Sequence, residues 1–300
     1  MCDLHVTAAW RRAPAMPNLR QLMDEPNRTP GHLPRIGIAA EPRYLSQPQP
    51  AGLVGALVRA GLDPVLLDPD HPRRGALVGL DLVVARGRSA ALLGMLGRAE
   101  AIGVPTLNSR AAIASVLDKG AMARELSAAG IPIPPTRVAT REAALRAARP
   151  SHFPLVVKPV FGDNARGVHV VRSREELAAL PWDERVQLVQ RLVRSDGQDL
   201  KLYGIGARVW AVKKPSPIGR DPGGPARLVP ATPELTSLAR RCARAFGLEL
   251  WGVDCIETAR GPVVIEVNDF PNYTAIEGAD DHLARHAIGR ALALRLRRAS

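Results

Sequence analysis

Asp254, Glu266 and Asn268 are the residues of this 300-residue chain best suited by type and spacing to do chemistry. They sit in WGVDCIE and VVIEVND, two runs that are otherwise apolar. Strand periodicity puts Glu266 and Asn268 on one face, and a neighbouring antiparallel strand brings Asp254 beside them. Carboxylate and amide oxygens facing one another are the donors that a hard Mg²⁺ takes, together with nucleotide phosphates. The bland alternative is three polar residues on the wet face of a sheet. Val264, Ile265 and Val267 argue against it, because so apolar a strand belongs in a core, where unpartnered polar groups are costly.

Lysine is the second signal. Of 41 basic residues only Lys119, Lys158, Lys201, Lys213 and Lys214 are lysines. Arg presents a wide planar fork, whereas Lys presents a point charge on a slim stem that fits beside a phosphate oxygen. Lys158 lies in LVVKPVFGDNARGVHVV, a strand followed by a loop with Gly162 and Gly167 at its ends. Glycines let backbone N–H groups approach an anion, and a loop between two strands can fold down over phosphates. Taken alone, an ordinary hairpin turn explains that loop equally well, and compositional drift explains any single lysine. His282 and His286, four apart on the last helix, read more readily as a solvated helix face than as a metal grip. Neither a Walker A, GxSxG or HExxH motif nor a GxGxxG after the first strand is present.

The elements that must carry these residues follow from periodicity. RIGIAA, PVLLD, LDLVVARG and VPTLN read as strands alternating with helical AGLVGALVRAG and SAALLGMLGRAEAIG, the spacing of βαβ units and a parallel sheet over 35–107. NSRAAIASVLDKGAMARELSAAG reads as helical, with Asn108 or Ser109 as cap, Lys119 inside the run and Gly130 at its end. FPLVVKP and VQLVQRLV are strands, and DLKLYGIGARVWAVKKPSP is a hairpin turning at Gly204 and Gly206. TPELTSLARRCARAFGL is an amphipathic helix capped by Thr232; LELWGVDCIE and GPVVIEVND are a strand pair, and 280–298 is a final basic helix. Residues 1–34 lack periodicity and read as a loose arm, with Met16 or Met23 as alternative starts.

A net charge of +12 would suit nucleic acid or an acidic substrate. The arginines are spread along the chain, however, and seven Phe or Tyr offer little base stacking, so no specific nucleic acid is expected. Cys2, Cys242 and Cys255 form no CxxC pair and read as reduced thiols of a cytoplasmic protein. Apolar runs are too short to span a bilayer, so no membrane is expected.

Taken in order, DK at 118–119, VVKP at 156–159, GDNARGV, VQRLV at 189–193, DLK at 199–201, GVD at 252–254 and EVN at 266–268 resemble the ATP-grasp superfamily. The pattern is most similar to its RimK-type and glutathione-synthetase-like ligases. The resemblance implies an α/β fold: a parallel pre-ATP-grasp domain (35–107), a lid (108–189) and a C-terminal part (190–300) that together clamp ATP between antiparallel sheets. On it, Lys119 and Lys158 match lysines that reach the α- and β-phosphates, and the loop with Gly162, Asn164, Arg166, Gly167 and Val168 matches a flap. Gln190, Arg191, Leu192 and Val193 match the strand that meets adenine, Asp199 the ribose carboxylate, and Lys214 a cation at the terminal phosphate. Asp254, Glu266 and Asn268 match ligands of Mg²⁺ (or Mn²⁺). Lys158, Lys214 and Asn268 are the catalytic candidates.

Departures are Lys201 where the family carries Arg, Arg191 where an acid is common, and Ala165 where glycine is frequent. The implied activity is an ADP-forming carboxylate-amine ligase that makes an amide through an acyl phosphate. Its substrates would be small molecules or peptides, and a homo-oligomer would suit the family. Alternatives are a small-molecule kinase, a ligase modifying a ribosomal peptide or protein side chain, and a non-catalytic binding module. For the substrate, Arg86 or Arg88 and the stretch DFPNYTAIEG are expected to contribute, with solvated arginines as the alternative.

Overall fold

β1 (Ile36–Ala40), β2 (Val65–Leu67), β3 (Leu82–Arg86) and β4 (Thr106–Leu107) pair in parallel in the order β2-β1-β3-β4. The crossovers are α1 (Pro48–Arg59) and α2 (Ala90–Ala101), the latter capped by the Ser89 hydroxyl, which accepts from Leu92 N. Every residue of β1 and β3 is buried, as a parallel sheet covered on both faces requires. The computed structural model describes residues 33–162, 166–216, 218 and 225–299. Cys2, Met16, Met23 and nearly all of the expected arm therefore lie outside the described residues, as do Asn164 and Ala165.

The helical run after β4 is two helices, α3 (Arg110–Ser115) and α4 (Lys119–Ala128). The break is a capping event: the Asp118 carboxylate accepts from Gly120 N and Ala121 N, starting a new helix with Lys119 as its first residue. Ser109 caps α3. Asn108 is instead buried; it donates to Leu250 O and accepts from Glu249 N and Leu250 N.

A second sheet, of order β5-β8-β6-β7, holds β5 (Thr136–Ala139), β6 (Leu155–Pro159), β7 (His169–Val171) and β8 (Gln187–Arg191), all antiparallel. With α5 (Arg141–Ala147) and α6 (Arg174–Ala179) it encloses its own small core of Ala144, Leu155, Val157, Leu177 and Val189. All of it but Gln190 and Arg191 falls within 108–189, the stretch expected as the lid, and it carries the label lid sheet.

The third sheet runs β11-β10-β9-β12-β13 and is antiparallel throughout. Its strands are β9 (Gln198–Ile205), β10 (Arg208–Pro215), β11 (Arg227–Val229), β12 (Leu250–Thr258) and β13 (Gly261–Asp269). The β9–β10 hairpin turns at Gly206, whose φ of +57° favours glycine. Gly204 remains inside β9, where a Cβ would come within 2.0 Å of the Trp251 ring. α7 (Pro233–Phe246), capped by Thr232, packs Cys242 and Phe246 against Leu200, Trp251, Val253 and Val267. Met122 and Leu126 of α4 join this same core, although the sequence reading counted them with the lid.

Chain order and packing order also part at the C-terminus. α8 (Ala279–Ala299) returns to the first sheet, where Gln49 donates to Asp280 at 2.9 Å and Arg295 pairs with Asp81 at 2.6 Å. Among the described residues no helix is long and apolar enough to cross a membrane.

Candidate active site

Strand register sets out the floor of the site in rows. Lys201 of β9 lies opposite Asp254 of β12, which lies opposite Glu266 of β13. In the next row Gly252 is opposite both Tyr203 and Asn268; on the other side Asp199 is opposite Lys214. Directly paired residues project from the same side of a sheet, so all of these side chains line one cleft of about 540 Å³. A bulge at Ile265 follows the pair: Asp254 is opposite Glu266, but Cys255 is opposite Val264.

The floor is charge-compensated. Lys201 Nζ lies 2.7 Å from Asp254 Oδ2 and 3.9 Å from Asp199 Oδ2. Burial pulls its pKa down, but the Asp254 carboxylate, helped by Asp199 and Glu266, outweighs burial and holds it above the ordinary value. Lys119 Nζ lies 3.4 Å from Glu266 Oε1 and donates to Gly162 O at the root of the flap. Lys214 sits 5.4 Å from the centroid of the Tyr203 ring; burial first, then Lys201, lowers its pKa.

The lid sheet supplies the facing wall with Val156, Lys158 and Gln190. Lys158 is 6% exposed and has no ion-paired acceptor among the described residues. Burial lowers its pKa against the attraction of Glu266, and Lys119 adds to the lowering. Gly162, Arg166 and Val168 of the flap line the cleft, as do Gln190, Arg191, Leu192 and Val193. Gly167 is described but does not line it. Asp199 Oδ1 is shielded from solvent with no donor among the described residues, so it has an acceptor atom to offer a ligand hydroxyl.

Among the described residues no three His, Cys, Asp or Glu side chains gather as a metal cluster. The donor set here is two carboxylates and an amide: Asp254 and Glu266 side by side, and Asn268 two residues on along the same face. Three hard oxygens on a cleft lined with lysines suit a divalent cation that is shared with phosphate.

At the end of the cleft next to β3, Arg88 Nε lies 2.6 Å from Asp269 Oδ1, and its Nη2 donates to Asn268 Oδ1 at 3.0 Å. Glu41 accepts from Arg88 N and Ser89 N. Arg86 is 7% exposed, stacked 4.3 Å from the Tyr44 ring. Both arginines therefore line the cleft, Arg86 buried and Arg88 part-buried. The sequence gives Lys201 no firm role, and it places Asp269 only as the first residue of the substrate stretch DFPNYTAIEG, without a partner. The scarcity of lysine and the strand alternation of Asp199 with Lys201 were the available signals.

His282 and His286 are not on a solvated face. His286 lies 3.1 Å from Glu249, and His282 packs at a 44° tilt against Trp210 with ring centroids 5.2 Å apart. Burial, then Arg208, pushes the His282 pKa down to about 4.

The RimK-like ATP-grasp domain profile matches residues 117–284. A probable alpha-L-glutamate ligase of Methanococcoides burtonii is 33% identical over 227 residues, 70% of this chain and 75% of that protein. The RimK domain ATP-grasp protein of Sphaerobacter thermophilus superposes with a TM-score of 0.68 at 24% identity, covering 85% of this chain and 98% of the other. The ATP-grasp ligase PsnB, solved with minimal precursor, Mg and ADP, gives a TM-score of 0.67 at 18% identity, covering 87% and 100%. With fold, cleft and relatives in agreement, the chain belongs to the RimK-like ATP-grasp family and is an ATP- and magnesium-dependent ligase that joins a carboxylate to an amine.

Proposed function

We propose that ATP lies between the lid sheet and the third sheet, with each candidate residue acting in the order the cleft presents it. The observation that carries this is that Lys158, buried and in no ion pair among the described residues, lines the same cleft as the row Lys201–Asp254–Glu266. Gln190 to Val193 border the adenine and Asp199 takes the ribose hydroxyls. Lys119 and Lys158 hold the α- and β-phosphates, Lys214 faces the terminal phosphate, and the loop residues Gly162, Arg166 and Val168 cover them.

Asp254, Glu266 and Asn268 are the residues that would hold magnesium, which when bound supplies positive charge to the phosphate oxygens. ATP is consumed as a substrate. A substrate carboxylate oxygen bonds to the γ-phosphorus as the bond to ADP breaks, giving an acyl phosphate. The amine nitrogen then bonds to the acyl carbon, phosphate departs, and the proton lost from nitrogen ends on that phosphate. Lys158 and Lys214 neutralise charge that spreads during the first step, and the flap excludes water from the acyl phosphate.

The relative from M. burtonii bears a glutamate-ligase name, so glutamate is the first amine to offer, with small acids and peptides as carboxylates. Cys242 and Cys255, buried and unpaired by disulfide, suit a reducing cytoplasm.

The test follows the terminal phosphate of labelled ATP with Mg²⁺, the protein and paired pools of acids and amines, Lys158→Met serving as control. Free phosphate that requires both an acid and an amine supports the reading. Label retained in an organic product means phosphoryl transfer to a hydroxyl and overturns it.

A further inference from the structure

Arg86 is the last residue of β3, buried at the end of the cleft beyond Asn268, and among the described residues no carboxylate forms an ion pair with it. Its Nη2 donates to Asn272 Oδ1 at 3.0 Å and to Gln47 Oε1 at 3.4 Å, both neutral amides. Tyr44 and Phe270 rings flank the guanidinium at 4.3 and 5.2 Å. Its Nε is shielded from solvent and has no acceptor among the described residues. Two nearby carboxylates are already engaged: Asp269 by Arg88, and Glu41 by Arg43 Nε with the backbone amides of Arg88 and Ser89. A buried guanidinium with a spare donor, held in place by aromatic rings and amides, is a receptor for a carboxylate.

We infer that Arg86 reads a carboxylate that the substrate keeps: the acid group of an amino acid whose amine attacks the acyl phosphate. This rests on the ligase reading above. The reacting carboxylate loses its charge during the reaction and has to reach the metal row. An amino acid's own carboxylate stays anionic throughout, and a permanently charged guanidinium set back from that row, in the same cleft, matches it. Arg88 does not fill this role, because Asp269 already neutralises it and its free arm holds Asn268. The structure therefore separates two arginines that the sequence left equivalent.

The experiment measures equilibrium binding of the twenty L-amino acids and their primary carboxamides to the full chain loaded with Mg²⁺ and a non-hydrolysable ATP analogue. At least one amino acid binds, and its carboxamide binds roughly tenfold or more weakly, the size of one charge-assisted contact. Arg86→Met weakens the amino acid by about 10- to 100-fold and abolishes the acid-over-amide preference. Arg86→Lys regains part of it, and affinity for the ATP analogue stays unchanged. Should Arg86→Met fail to fold, Asn272→Asp places a near-isosteric carboxylate on the guanidinium and is expected to expel the amino acid. Equal binding of acid and amide by the wild type overturns the inference. So does a preference that survives in Arg86→Met or Asn272→Asp, or the absence of any amino-acid binding by protein that holds the nucleotide. Failure of the ligase reading shows separately, as labelled phosphate retained in an organic product, and leaves the acid-against-amide comparison standing.

Discussion

On the lid side of the cleft Lys158 projects from β6 with no ion-paired acceptor among the described residues, whereas on the floor Lys201 projects from β9 onto Asp254, 2.7 Å away. Burial works on both ammonium groups in the same direction, yet the Lys158 pKa falls and the Lys201 pKa rises. The difference lies in the neighbours. Register places Lys201 opposite Asp254 within one sheet, while Lys158 lies opposite Leu188 and is attracted without contact by Glu266, which Lys119 already touches. A buried cation without its counter-charge is a receptor for an anion, and one that has it is a positioning device for the carboxylates. The same logic distinguishes Arg86 from Arg88 at the other end.

The contrast is broken most directly at Lys158. Lys158→Met is expected to lower turnover by about a hundredfold or more, the usual cost of losing one preorganised electrostatic contact. ADP release measures it, and a rate within a few-fold of wild type would contradict the lid assignment. Lys201→Met should cost less, about tenfold or ~1.4 kcal/mol on the barrier, because much of its charge is spent on Asp254. Its mark is a changed Mg²⁺ dependence, read from ADP release across a metal titration. A loss as large as that of Lys158→Met would erase the distinction between the two walls.

A smaller effect sharpens it. The Lys158 pKa is lowered in the free protein, and phosphate oxygens beside it would raise it. At alkaline pH between those two values ATP binding takes up a proton, and affinity falls as pH rises through that window. Calorimetry in buffers of different ionisation heat reads this; proton release, or uptake unaltered in Lys158→Met, goes against it. The smallest change is expected at Lys213, next to Lys214 but paired at 2.5 Å with Glu257, whose side chain is 48% exposed. Lys213→Met should leave turnover within about twofold and shift urea stability by at most ~1 kcal/mol, as for partly solvated ion pairs.

Much of the fold was legible because its signals are local. The alternation of apolar runs with helical stretches yields the parallel sheet, Thr232 caps α7, and Gly206 turns the β9–β10 hairpin. The short strands β5 and β11 escaped because four or three residues carry too little periodicity, and β5 follows a proline-rich piece. The break at Asp118 escaped because capping by its side chain competes with an otherwise continuous helical pattern.

For the site, the two-residue repeat of a strand was enough to put Glu266 and Asn268 on one face, and the motif order was enough to suggest the chemistry. Which cation meets which carboxylate was decided only by the tertiary structure. Lys201 and Asp254 are brought opposite by sheet register, and Arg88 and Asp269 meet across 181 positions of chain. The surroundings of Arg86 come from two distant stretches, Tyr44 with Gln47 and Phe270 with Asn272, which chain spacing does not bring together. Periodicity and capping act within a few residues, so the sequence encodes them openly. Compensation of a buried charge is a property of the space around it, and that space exists only once the sheets have met.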